Sequence, residues 1–144
     1  MKEYKLTFEM VPEECWRGSL YHTLPAQTWD KVRRAAYARA GYRCCICGEK
    51  GRLEAHEKWS YDEQKALQKL EDVIALCHRC HEVKHVSRSY AVGRGKDVEE
   101  WFMKVNGCSQ AEYHEALGNA NEVYIKRNKI EGWTTDFSWL ARLK

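Results

Sequence analysis

The sequence has no apolar run long enough to cross a bilayer, and its first residues, Met1-Lys2-Glu3-Tyr4, lack the apolar segment of a secretory leader. A cytoplasmic protein with no membrane partner is the expectation. Internal repeats, low-complexity tracts and linker-like stretches are missing as well, which excludes solenoids and flexible tandem modules. At 144 residues the chain suits one domain with a modest core. Charge of one sign is also scarce. A net charge of +3 is too small to name a polyanionic partner, so its distribution carries more information than its total.

Cysteine, by contrast, is plentiful, at seven residues. Without a secretory leader, paired spacing favours a metal over disulfides. Cys44-x-x-Cys47 and Cys77-x-x-Cys80 supply four thiolates, enough to close a tetrahedral zinc site that joins two distant turns. Cys45 allows a shifted pairing, but only Cys44 gives the two-residue spacer. Cys15, Cys45 and Cys108 are left over and read as small buried hydrophobes or free thiols. A histidine, His56, lies between the pairs, and the second pair runs directly into His81 and His85. If the chain is helical there, those two lie four residues apart on one face, the geometry needed to grip one metal.

Three segments carry a family likeness: Cys44-x-x-Cys47-Gly48, Leu53-Glu54-Ala55-His56-Glu57 and Leu76-Cys77-His78-Arg79-Cys80-His81. Together they resemble the zinc-stapled form of the HNH (ββα-metal) endonuclease family, over roughly a third of the chain. The resemblance implies a ββα-metal core, one catalytic divalent cation (Mg, Mn, Ni or Zn) and double-stranded DNA as substrate, cut to leave 5′-phosphate and 3′-hydroxyl ends. In that family a metal-binding residue is followed at once by a histidine base, and here the pair is His56-Glu57. If the register holds, His56 joins His81 and His85 as a three-histidine site and Glu57 becomes the base. In the other reading His56 is the base, and the strand's ligand is lost or moved to Asp62. The asparagine that orients the base in the family falls at Asp72. A carboxylate base beside a cation is a weaker proton acceptor than imidazole, although an apolar wall such as Trp59 would raise its pKa again.

The rest of the chain frames this centre. Tyr4, Leu6, Phe8 and Met10 alternate with polar residues, predicting an edge strand stopped by Pro12. Cys15 to Leu24 reads as a loop with at most a short helical turn. From about Pro25 a basic helix runs to Gly41, with Trp29, Val32, Ala36 and Ala40 on its apolar side. Arg52–Lys58 and Val73–Leu76 read as strands, Asp62–Leu70 as a short helix or ordered loop, and His78–Val86 as a helix. Asp97–Val105 predicts another helix. Ser109-x-x-Glu112 is a capping box opening a longer one to about Asn128, whose stripe of Tyr113, Ala116, Leu117, Ala120, Val123 and Tyr124 reads as core. The tail, with Trp133, Phe137, Trp139 and Leu140, is too apolar to hang free and packs on the body or forms a homodimer contact. The expected class is α+β and mostly helical: a strand and basic helix (1–41), the zinc-stapled core (42–88) and a C-terminal helical extension (89–144).

Around the core, basic residues cluster on both sides, and Arg33, Arg34, Arg39, Arg43, Lys84 and Arg88 are the candidate contacts to DNA phosphates. The stretch from Glu54 to Asp72 between them is acidic, as suits a divalent cation. A metal-dependent DNA endonuclease is the leading expectation. Its alternative is a zinc-stapled module, derived from a nuclease, that binds nucleic acid or a protein and does not cut. A purely structural zinc ribbon would leave all three histidines idle.

Overall fold

The computed structural model describes residues 3–142. Its centre is a long hairpin, β1 (Leu53–Asp62) paired antiparallel with β2 (Leu67–Cys77), and a short β3 (Thr134–Asp136) joins β2 in parallel. Before the hairpin come a 3-10 turn (Glu13–Gly18), α1 (Leu20–Thr23) and α2 (Ala26–Arg39). After it come α3 (His78–Lys84), α4 (Val86–Ala91), α5 (Gly95–Asn106) and α6 (Gln110–Asn128), and a 3-10 turn (Ser138–Arg142) follows β3. The class is α+β, as expected.

Strand alternation divides the hairpin's faces. Glu54 and His56, with their partners Leu76 and Ile74, face α3, whereas Glu57 and its partner Val73 face α1 and α2. Each face seals one core. On the first, Phe102 lies fully buried, stacked on Phe8 at 4.8 Å and edge-on to Tyr113 at 5.3 Å. On the second, Leu20, Val32, Ala36, Leu70 and Val73 pack together, covered by Phe137, Trp139 and Leu140 of the tail. The tail therefore folds back on its own body.

Several expectations need correcting. Residues 4–10 alternate as a strand would, with Leu6 fully buried, but have no strand partner among the described residues. Their backbone is satisfied by other means: Asn106 Oδ1 accepts from Leu6 N at 3.0 Å, Asn106 Nδ2 donates to the Leu6 carbonyl at 2.9 Å, and Glu9 N donates to the Lys84 carbonyl at 3.1 Å. Of Asp62–Leu70, only residues 63–66 form an ordered turn, and the remainder is strand rather than helix or loop. The segment makes up the hairpin turn and the first half of β2, where Gln68 and Leu70 point inward and Lys69 and Glu71 outward. A buried polar residue hid that alternation. Gln68 lies inside because Tyr61 Oη accepts from its amide at 3.1 Å and its carbonyl accepts from Thr135 Oγ1 at 3.1 Å.

The expected helix from His78 to Val86 breaks at His85 into α3 and α4. The buried Ser89 hydroxyl lies 2.7 Å from the Glu82 carbonyl and donates to it at the break, while Ser89 N donates to the His85 carbonyl at 3.0 Å. His85 N still donates to His81 O at 3.2 Å, so the one-turn spacing of the two histidines survives. The capping box at Ser109 forms as read, but the stripe of α6 is core only at its N-terminal end. Tyr113 is fully buried, while Val123 is 41 % exposed.

Candidate metal centre

Two ligand clusters flank the start of α3. In the first, the sulfurs of Cys44, Cys47, Cys77 and Cys80 lie within 4.8 Å of one another. Tetrahedral zinc with Zn–S bonds near 2.3 Å needs sulfurs about 3.8 Å apart, and the Cys47–Cys77 separation is 3.6 Å. Local backbone supports this shape. Gly48, at φ +80°, turns the first knuckle so that its N–H reaches the Cys44 carbonyl at 3.0 Å, and Cys77 caps α3 by accepting from Cys80 N at 3.4 Å. N–H groups of Ile46 and Trp101 reach the sulfurs of Cys44 (3.5 Å) and Cys80 (3.3 Å), as suits thiolate charge. A hydrogen bond from Cys80, with backbone donors, lowers the Cys44 pKa to about 4. Burial pushes Cys77 up to about 11, and Cys80 is raised by its bond to Cys44 and by burial. A bound dication favours the thiolate form of its cysteine ligands and so opposes the upward shifts of Cys77 and Cys80. The four cysteines are compatible with a structural zinc. Cys45 is exposed and lies outside the cluster.

In the second cluster, one ring nitrogen from each of His56, His81 and His85 lies within the same 4.8 Å limit. Their ring centroids are 4.7 to 5.4 Å apart. Glu54 accepts from His81 Nδ1 at 2.7 Å, which leaves the lone pair on Nε2, and that atom faces His85 Nε2 at 3.1 Å. Burial lowers the pKa of His81. Burial, with the imidazoles of His81 and His56 alongside, lowers His85 to about 3. Two neutral imidazoles meeting nitrogen to nitrogen have at most one proton to share between the lone pairs, and a shared cation satisfies both. This donor set fits a divalent metal with open positions.

Two carboxylates in this centre escaped the sequence reading. Glu54 belongs to the motif and to the acidic stretch without a role of its own there, yet the period of a strand puts it on the same face as His56, two residues on. Glu9, which hydrogen-bonds His56 Nε2, comes from far away in the chain and gives no local signal. It is held by Lys84, whose ammonium lies 3.4 Å from the carboxylate and donates to Thr7 Oγ1 at 3.0 Å. His56 and Lys84 keep Glu9 ionised against the opposing effect of burial.

Other candidates are placed elsewhere. Glu57 lies on the far face of β1, where Oε1 accepts from Leu20 N at 2.7 Å and caps the start of α1, and burial raises its pKa. Asp72 accepts from Val73 N at 2.8 Å and faces Arg39 at 3.8 Å. Neither is in the three-histidine ligand cluster, although Glu57 lines the same cleft and Asp72 does not. Substitution of Glu57 by Gln, which keeps an acceptor for Leu20 N, is expected to leave metal binding unchanged and any cleavage within about twofold. Loss of the acceptor in Glu57→Leu costs about 1–3 kcal/mol, read from urea unfolding. A large rate loss in the Gln variant with its fold intact would show that Glu57 acts in the chemistry.

Of the six basic candidates, Lys84 and Arg88 line the cleft that holds the imidazoles. Lys84 is buried and committed to Glu9, while Arg88 is exposed. Arg33 pairs with Asp30 at 2.9 Å, Arg39 donates to the Val73 carbonyl at 3.1 Å, Arg43 reaches Gly48 O at 3.3 Å, and Arg34 is exposed on α2. His78 is 66 % exposed beside Glu54 and Glu82. No helix is long and apolar enough to cross a membrane among the described residues. No protein-family model matches the chain, and comparison with curated proteins and with solved structures gives no match either.

Proposed function

We propose that the protein is a metal-dependent endonuclease of HNH type that hydrolyses DNA phosphodiester bonds. The observation that carries the reading is the convergence of His56, His81 and His85, from a strand and the following helix, in one cleft beside a four-cysteine staple. Their partners fix the roles. Glu54 sets the His81 tautomer, Glu9 orients the His56 ring, and the buried Lys84 holds Glu9 in place. His56, His81 and His85 would hold a divalent cation, which would supply positive charge at the scissile phosphate and make the attacking water more acidic. Arg88, three residues beyond His85 on the cleft wall, is the cation best placed to bind an adjacent phosphate.

The alternative, a binding module that does not cut, draws on the commitment of Glu57 and Asp72 to other partners. Supercoiled plasmid and single-stranded circular DNA incubated with zinc-loaded protein plus Mg, Mn, Ni or additional Zn separate the two. Metal-dependent nicking or linearisation is the expected outcome. DNA that stays bound and intact with every metal overturns the nuclease reading.

A further inference from the structure

The imidazoles do not lie on an open face. They line a cleft of about 1110 Å³ that the C-terminal half of α6 also lines, and α6 is fixed at both ends. At one end Tyr113 is buried in the core, its hydroxyl 2.7 Å from that of Tyr90. At the other, Glu63 in the hairpin turn takes Lys126 at 3.1 Å and Arg127 at 3.0 Å, and Arg127 lies over the Tyr61 ring at 4.4 Å. The 3-10 turn forms an adjoining wall and is tied to the same end: Asn128 Oδ1 accepts from Glu13 N at 2.9 Å, and Glu14 accepts from Gly132 N at 3.1 Å and Trp133 N at 3.2 Å. Between these fixings Ala116 and Leu117 pack on the first core, whereas Ala120, Val123 and Tyr124 line the cleft.

Aromatic rings stand on the 3-10 turn and on α1 beside it. Trp16 and Tyr21 line this cleft and are 58 % and 69 % exposed. The Trp16 indole donates to the Val11 carbonyl at 2.7 Å, so the ring is pinned by its polar edge with much of its surface bare. Arg88 lines the same space and has no ion-pair partner among the described residues. Exposed aromatic surfaces beside a basic group are what an unpaired strand requires, because every base has a π-face and every linkage a charge. A duplex keeps its bases stacked on one another and is stiff over about 150 base pairs, so its base faces are not free to stack on these rings.

We infer that the cleft takes single-stranded DNA, with bases stacked on Trp16 and Tyr21 and the backbone led by Arg88 past the three imidazoles. The position of the phosphate at the imidazoles rests on the endonuclease reading; the stacking does not.

The test uses the full chain, zinc-loaded, and phosphorothioate oligonucleotides, which resist cutting. Fluorescence anisotropy compares labelled dT strands of about twelve residues with the same strand paired to dA. The single strand is expected to bind at least about tenfold tighter. Trp16→Ala and Tyr21→Ala should each weaken it on the order of tenfold, Trp16→Phe should recover most of the loss, and Tyr42→Ala, which removes an equally exposed ring outside the cleft, should change nothing. Circular dichroism and zinc content verify that each variant is folded. Equal affinity for duplex and single strand, or folded Trp16 and Tyr21 variants that bind as the parent does, overturns the inference. Duplex cutting with equal affinities removes the single-strand reading and leaves the endonuclease standing. Selective strand binding without cutting by any metal does the reverse.

Discussion

Replacing His81 by Ala is expected to lower metal-dependent cleavage by about a thousandfold or more while leaving the structural zinc and the melting temperature nearly unchanged. The effect is large because His81 is the best organised of the three imidazoles: Glu54 sets its tautomer at 2.7 Å and its Nε2 faces His85 at 3.1 Å. A cation at the scissile phosphate supplies several kcal/mol of transition-state stabilisation, and each 1.36 kcal/mol is a factor of ten in rate. Folding should tolerate the change, since the ring faces the cleft rather than a core. Isothermal titration with Mn or Ni, beside single-turnover cleavage, checks both halves. Weaker metal binding together with slower cutting supports the assignment, whereas full activity in the variant would exclude His81 as a ligand. DNA affinity measured on the same variant bears on the non-cutting alternative, which retains it.

The effect of Cys77→Ala is of another kind. Cys77 ends β2, contributes a sulfur to the four-cysteine cluster and caps α3 by accepting from Cys80 N. Its loss removes a ligand, a cap and the join between the hairpin and the helix that carries His81. Because metal affinity in such sites is folding free energy, we expect a loss of more than about 4 kcal/mol, a melting temperature lower by more than about 10 °C, and zinc absent by elemental analysis. A strong chelator acting on the parent protein should reproduce the result. Cys45→Ala is the control. That thiol is exposed and outside the cluster, so stability and zinc content should both be retained. If Cys77→Ala keeps its zinc and its melting temperature, the staple is misassigned.

What the sequence revealed, and what it hid, follows from how far each interaction reaches along the chain. The cysteine pairs, the one-turn spacing of His81 and His85 and the capping box at Ser109 are local patterns, and all are present in the structure as geometry. The extent of the hairpin was hidden by one buried glutamine, whose partners, Tyr61 and Thr135, lie on two other strands. For Glu57 and Asp72, motif position was a poor guide, since a strand turns successive side chains to opposite faces and the neighbours there are Leu20 and Arg39. Glu9 was invisible for a different reason. It reaches His56 only because the N-terminal segment is tied along α3 and α5 by Asn106 and by the Lys84 carbonyl, contacts spread over most of the chain's length. The stripe of α6 was read correctly as apolar, but periodicity cannot distinguish a face that meets a core from one that meets a cleft.

The ties that hold α6 along the cleft also set an order of maturation. A nascent chain emerges N-terminus first, so both ligand clusters are made by His85, α6 only by Asn128, and its ties to Glu14 only with Gly132 and Trp133. On the ribosome the metal centre can therefore form before its cleft is walled. A nascent chain that stops short of Thr134–Asp136 lacks the pairing of β3 with β2, so the hairpin that carries His56 is made before its third strand is added.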